Sequence, residues 1–127
     1  EPLELVRGEA VFEVVVKKYA GAGSEGLEIG VTTTPPERVD MNAVREYCAV
    51  VHPSWISSDS GSLWVNGHPK YDQGQWSTTR PINLKAGDVV QITVRASGAL
   101  EVHCNGEFQV VWHSARIPID QPLYAIA

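Results

Sequence analysis

Residues 88–112 carry three successive segments in which apolar and polar side chains alternate. In residues 88–95 (DVVQITVR), Val90, Ile92 and Val94 alternate with Gln91, Thr93 and Arg95. In residues 99–104 (ALEVHC), Leu100, Val102 and Cys104 alternate with Glu101 and His103. Residues 107–112 (EFQVVW) put Phe108, Val110 and Trp112 on one side. A period of two sends successive side chains to opposite faces of an extended chain, so each segment reads as a strand with one face buried. Glycine-containing turns separate the three, and together they predict an antiparallel meander.

Side-chain parity then constrains the turns. A two-residue loop at Asn105-Gly106 would place Val102 on a face with Gln109 and Phe108 on a face with His103, mixing polar and apolar residues. A three-residue loop, Cys104-Asn105-Gly106, pairs Val102 with Phe108 and Leu100 with Val110 instead. The same reasoning at Ala96-Ser97-Gly98 pairs Val94 with Leu100 and Ile92 with Val102. A type I turn followed by a left-handed glycine satisfies both, so Gly98 and Gly106 are each expected at positive φ.

Further strands are expected in residues 10–17 around Phe12, Val14 and Val16, in residues 27–33 around Leu27, Ile29 and Val31, and in residues 61–66 around Leu63 and Val65. Asn66-Gly67 ends the last of these, and residues 122–127 (PLYAIA) form a final buried strand. Residues 42–51 (NAVREYCAVV) suit either a short helix or a strand. Pro35, Pro36 and Pro69 read as loop residues, and residues 52–60 and 67–79 as polar loops. No segment has the pattern of a helix of ordinary length. With 127 residues there is room for one domain. The expected fold is therefore all-β, an antiparallel two-sheet β-sandwich.

Composition narrows the function. Ten basic against fifteen acidic side chains leave a net charge of −5, and the basic residues never run longer than Lys17-Lys18. Nucleic acid and anionic membranes call for clustered positive charge, so neither is an expected partner. No apolar run approaches the ~20 residues that span a bilayer. Cys48 and Cys104 are the only cysteines, and Cys104 continues the apolar series of its strand. It reads as a small buried hydrophobe in a reducing, intracellular compartment, with a single Cys48–Cys104 disulfide left open.

Gly21-Ala22-Gly23-Ser24-Glu25-Gly26 fits the glycine pattern of dinucleotide sites. Such a loop holds phosphate only where it opens a helix, and here residues 27–33 read as a strand. It is expected to be a hairpin loop. His52, His68, His103 and His113 have no metal-ligand spacing, and no nucleophile elbow or Cys-x-x-Cys pair occurs. No metal, cofactor or catalytic residue is expected. Trp55, Tyr71 and Trp76 stand in polar stretches, where large aromatics either pack beneath a loop or meet a partner. They are the candidate binding residues, with at least one of Trp55 and Trp76 expected to be partly exposed.

A family resemblance runs through these segments. Gly8-Glu9, Leu27-Glu28-Ile29-Gly30-Val31-Thr32, Trp55, Leu84-Lys85-Ala86-Gly87-Asp88, Gly98-Ala99-Leu100, Asn105-Gly106 and Pro122-Leu123-Tyr124-Ala125 occur in an order that resembles the neuralized homology repeat. Its most specific stretch is residues 84–127. The family implies a SPRY-like sandwich that recognises protein partners, often within proteins serving ubiquitin ligation. Relatives begin with a further strand and end in a Val-Asp-Leu-Tyr-Gly-like segment, so residues 1–127 read as one repeat clipped at both ends. RING or SOCS-box modules recruit the ubiquitin machinery in some relatives. Two cysteines are too few for a RING, which assigns any ligase activity to other domains or partners. The resemblance thus implies a cytoplasmic module that selects a protein ligand or ubiquitylation substrate. The alternative reading is a lectin-like carbohydrate-binding sandwich in which Trp55, Tyr71 or Trp76 stacks on sugar rings. A third is an enzyme whose site is assembled from distant segments.

Overall fold

The protein, seen in a computed structural model, is described over residues 2–16, 27–38 and 51–127. Nine strands occur among them: β1 (Ala10–Val15), β2 (Ile29–Thr32), β3 (Ser54–Ser57), β4 (Ser62–Val65), β5 (His68–Gln75), β6 (Val89–Val94), β7 (Leu100–Cys104), β8 (Glu107–Trp112) and β9 (Tyr124–Ile126). Short 3-10 turns at Pro36–Arg38, Pro81–Asn83 and His113–Ala115 connect some of them. The strands form two antiparallel sheets, a four-stranded one in the order β1-β6-β7-β8 and a five-stranded one in the order β5-β4-β3-β2-β9. The all-β sandwich is as the sequence predicts.

The core lies between the sheets, and register explains which residues enter it. Ala10, Val94, Leu100 and Trp112 stand side by side across the four-stranded sheet, and Phe12, Ile92, Val102 and Val110 form the next row. Val14, Val90 and Cys104 form a third. Ile29, Val31, Trp55, Leu63 and Val65 face them from the five-stranded sheet, with Trp76, Leu84, Ile117 and Leu123 closing the ends. Apolar burial at these positions is the main force holding the two layers together.

The turn at residues 96–98 is as expected. Val94 pairs with Leu100, Gly98 N–H donates to Arg95 O at 2.8 Å, and Gly98 sits at φ 88°. The other hairpin corrects the parity argument. Asn105 (φ 52°) and Gly106 (φ 80°) are both left-handed, a two-residue turn whose twist matches that of paired strands. Cys104 therefore faces Glu107 and His103 faces Phe108. A bulge beyond Phe108 then brings Val110 opposite Val102 and Trp112 opposite Leu100. The expected Val102–Phe108 and Leu100–Val110 pairs do not form. The bulge also exchanges two side chains: Gln109 is buried, and Phe108, placed on the apolar side by simple alternation, is 47% exposed. Phe108 instead meets the His103 ring edge-on, with centroids 5.7 Å apart.

Asn66 (φ 51°) and Gly67 (φ 80°) repeat the two-residue turn and end β4 where the sequence places its end. The polar stretches on either side are a second correction. Residues 52–60 and 67–79 were expected as loops, but they contain β3 and β5. Ser54 and Ser57 are buried and β5 is exposed along its whole length, so neither strand shows apolar alternation. Pro69 lies within β5, which is tolerated because β5 is an edge strand. The loop expected at residues 21–26 and the segment 42–50, with Cys48, lie outside the described residues. The chain following that loop is strand, not helix, from Ile29.

Candidate functional site

One edge of the sandwich concentrates polar chemistry. β3 ends at Ser57, and residues 58–61 turn the chain into β4, with Gly61 N–H donating to Ser58 O and Ser58 N–H to Ser62 O, each at 2.9 Å. The tight turn stacks three hydroxyls. Ser58 and Ser60 Oγ lie 3.0 Å apart, Ser60 donates to Ser62 at 3.3 Å, and Gln75 Nε2 donates to Ser62 Oγ at 2.8 Å. The neighbouring edge strand carries a large irregularity. Leu63 pairs with Lys70 while the adjacent Ser62 pairs with Gln75, so residues 71–74 bulge outward. That bulge crosses to the other sheet, where Trp112 Nε1 donates to Gly74 O at 2.9 Å and Ser114 Oγ donates to Gln73 Oε1 at 2.5 Å.

The segment after β5 is fixed by Gln109. Its Oε1 accepts from Thr78 N–H at 3.0 Å and Thr79 N–H at 3.3 Å, while its Nε2 donates to Thr78 Oγ1 at 2.7 Å. The Thr78 hydroxyl in turn donates to Glu107 Oε1 at 2.5 Å. A buried amide satisfied on both sides fixes the loop it bonds. Beyond it, Arg80 Nη1 donates to Trp76 O and, at 3.0 Å, to Thr79 O. Pro81–Asn83 then forms a short turn in which Pro81 is buried and Ile82 is 51% exposed.

These pieces enclose a shallow pocket of about 360 Å³ lined by Asp59, Ser60, Gln75, Arg80 and Ile82. It offers one carboxylate, one guanidinium, a hydroxyl, an amide and an exposed aliphatic chain. Such a set can bind a polar segment with an apolar anchor.

The sequence-predicted residues fall differently from expectation. Trp55 is 7% exposed and belongs to the core between the sheets. Trp76 is 1% exposed, and its Nε1 donates to Ser57 Oγ at 2.8 Å within the protein. The expected exposure of one of these tryptophans is therefore corrected. Both polar stretches contain a strand: Trp55 is buried within β3 together with Ser54, Ile56 and Ser57, and Trp76 is the buried residue that follows β5. Tyr71, at the start of the β5 bulge, is 62% exposed. The two stretches meet inside the protein through the Trp76–Ser57 hydrogen bond, and at the pocket through Asp59 and Ser60 from the first and Gln75 from the second. Arg80, Ile82 and Gln109 were missed. No periodic signal marks Arg80 or Ile82, and Gln109 is concealed by the bulge that reverses its face.

Among the described residues, no group of three or more His, Cys, Asp or Glu side chains is arranged to hold a metal ion. No helix among them is long and apolar enough to cross a membrane. Comparison with curated proteins gives no match. Comparison with protein families does: the Neuralized family matches residues 4–127. The Neuralized domain is a protein-interaction module, which accords with a rigid sandwich whose edge gathers polar groups around an exposed aliphatic side chain. On a match of that extent, the chain belongs to the Neuralized family.

Proposed function

We propose that this domain selects partners or substrates for a ubiquitin-ligase-associated, neuralized-like protein inside the cell, and that it binds them at the edge formed by residues 58–61, β5 and residues 77–82. The pocket carries the proposal: its walls are held by the Gln109 and Arg80 hydrogen bonds, while Ile82 stays exposed at its rim. Exposed apolar side chains set among polar groups on a fixed backbone suit a protein interface. Tyr71, exposed on edge strand β5, supplies an aromatic contact besides the aliphatic one. A net charge of −5 supports a protein partner over nucleic acid. Cys104 supports a reducing compartment, being a free, buried thiol that burial, and then the nearby Asp88 and Glu107 charges, push toward its neutral form. Ubiquitin transfer itself belongs to other domains or proteins. The carbohydrate reading keeps only Tyr71 of its three candidate stacking rings, because Trp55 and Trp76 are buried.

Proximity labelling with the domain as bait tests the proposal against Tyr71→Ala and Ile82→Ser variants. Loss of specific partners from either variant, with unchanged melting temperature, is the expected result. An unchanged partner set in both places the interface elsewhere.

A further inference from the structure

Arg80 carries more than structural information. Its Nη1 donates to the Trp76 and Thr79 carbonyls, which orients the guanidinium plane. Among the described residues, Nε and Nη2 make no hydrogen bond, although Arg80 lines the pocket. Those two nitrogens form the side-on edge that receives a carboxylate through two parallel bonds. Asp59 lines the same pocket, yet no ion pair joins it to Arg80. The guanidinium is thus pre-oriented and uncommitted, beside an exposed aliphatic side chain, Ile82.

Resting on the reading that this edge binds protein, we infer that the pocket recognises a linear segment of the partner carrying a carboxylate next to an aliphatic side chain. The carboxylate docks on the Nε–Nη2 edge of Arg80, and the aliphatic group packs against Ile82. Asp59 sets the charge that is accepted. One negative charge is balanced by Arg80, whereas a phosphate dianion meets greater repulsion from the Asp59 carboxylate.

The test is selection from a phage-displayed library of random linear peptides on the intact domain, followed by binding measurements with synthetic copies of the selected peptides. Three results are expected together. Replacing the shared Asp or Glu by its amide weakens binding roughly tenfold or more, the loss that follows when a hydrogen-bonded charge is removed. Asp59→Asn, a near-isosteric change at a half-buried position lining the pocket, tightens the acidic peptides roughly two- to fivefold by removing a like charge. Ile82→Ser abolishes binding. Amidation of the peptide C-terminus distinguishes a side-chain carboxylate from a chain end.

Peptides that lose binding with Ile82→Ser but tolerate the amide replacement overturn the carboxylate inference and leave the pocket as the binding site. Peptides indifferent to Ile82→Ser overturn both. Tighter binding of a phosphoserine replacement, or a library that yields no pocket binder, overturns the inference alone. Arg80→Met is a weaker test because it also removes the bonds to Trp76 and Thr79, so Asp59→Asn carries the argument.

Discussion

Gly98, third in the turn at residues 96–98, and Gly106, second in the two-residue turn that follows, are both left-handed, with φ of 88° and 80°, and replacing each by alanine separates two effects that usually arrive together. Both replacements force an L-residue into the left-handed region, at about 1–2 kcal/mol. Both also restrict the unfolded chain, which returns about 0.4–1 kcal/mol. These contributions are nearly common to the two sites. What differs is space. A methyl at Gly106 meets nothing within 4 Å, whereas at Gly98 it would stand 2.7 Å from Ile117 O and 3.0 Å from Ile117 N. Those atoms are not the ends of flexible side chains. Ile117 N–H donates to Gly98 O at 2.9 Å, and the preceding Arg116 is itself left-handed at φ 53°. Relief requires a backbone shift, with an added cost of about 1–3 kcal/mol. Gly106→Ala is therefore expected to cost about 1 kcal/mol and Gly98→Ala about 2–4 kcal/mol. For a domain of this size each kcal/mol lowers the melting temperature by about 3–5 °C. Urea unfolding with an unchanged m-value provides the comparison. Equal costs at the two sites, or a larger cost at Gly106, would refute the packing of residues 116–117 against the first hairpin.

Other consequences follow from the core and its edges. Trp55→Ala and Trp76→Ala should each lower stability by about 3–5 kcal/mol, the usual loss for a buried aromatic, and chemical denaturation measures it. The Asp88 carboxyl titrates below its ordinary range because Lys85 N–H, and then Asn105 Nδ2–H, donate to it. A depressed folded-state pKa stabilises the protein above the unfolded value, and that contribution vanishes as pH falls through the folded one. The stability gap between the wild type and Asp88→Ala should therefore narrow on acidification through the carboxylate range, by less than about 1 kcal/mol since the group faces solvent. Adding EDTA should leave the unfolding midpoint unchanged, whereas a fall reversed by zinc or calcium would reveal a metal site.

The legible part of this fold was the part built on alternation. β6, β7 and the first hairpin follow from residues that alternate without interruption, because one face of their sheet meets the core and the other meets solvent. Alternation misled at β8, where a single bulge reverses Phe108 and Gln109, since a pattern read residue by residue cannot show that one residue is left unpaired. It was silent at β3, which is buried on both faces and built largely of serine. It was silent again at β5, which is exposed throughout. The site suffered for the same reason. Polar surroundings suggested exposed tryptophans, but Trp76 is buried with its Nε1 satisfied by the Ser57 hydroxyl. Of the three aromatics that the sequence suggests as contacts Tyr71 alone is exposed, and Arg80 and Ile82 become visible only once residues 58–61 and 77–82 are seen together.

Site-specific photocrosslinking in cells compares the two exposed surfaces directly. A benzophenone side chain replaces Ile82 at the pocket rim in one variant, and Val11, 51% exposed on the open face of the four-stranded sheet, in another. Discrete covalent adducts with partner proteins from position 82, and none from position 11, are what recognition through the pocket edge predicts. Adducts from position 11 with none from position 82 would place the recognition surface on the opposite sheet and remove the central claim.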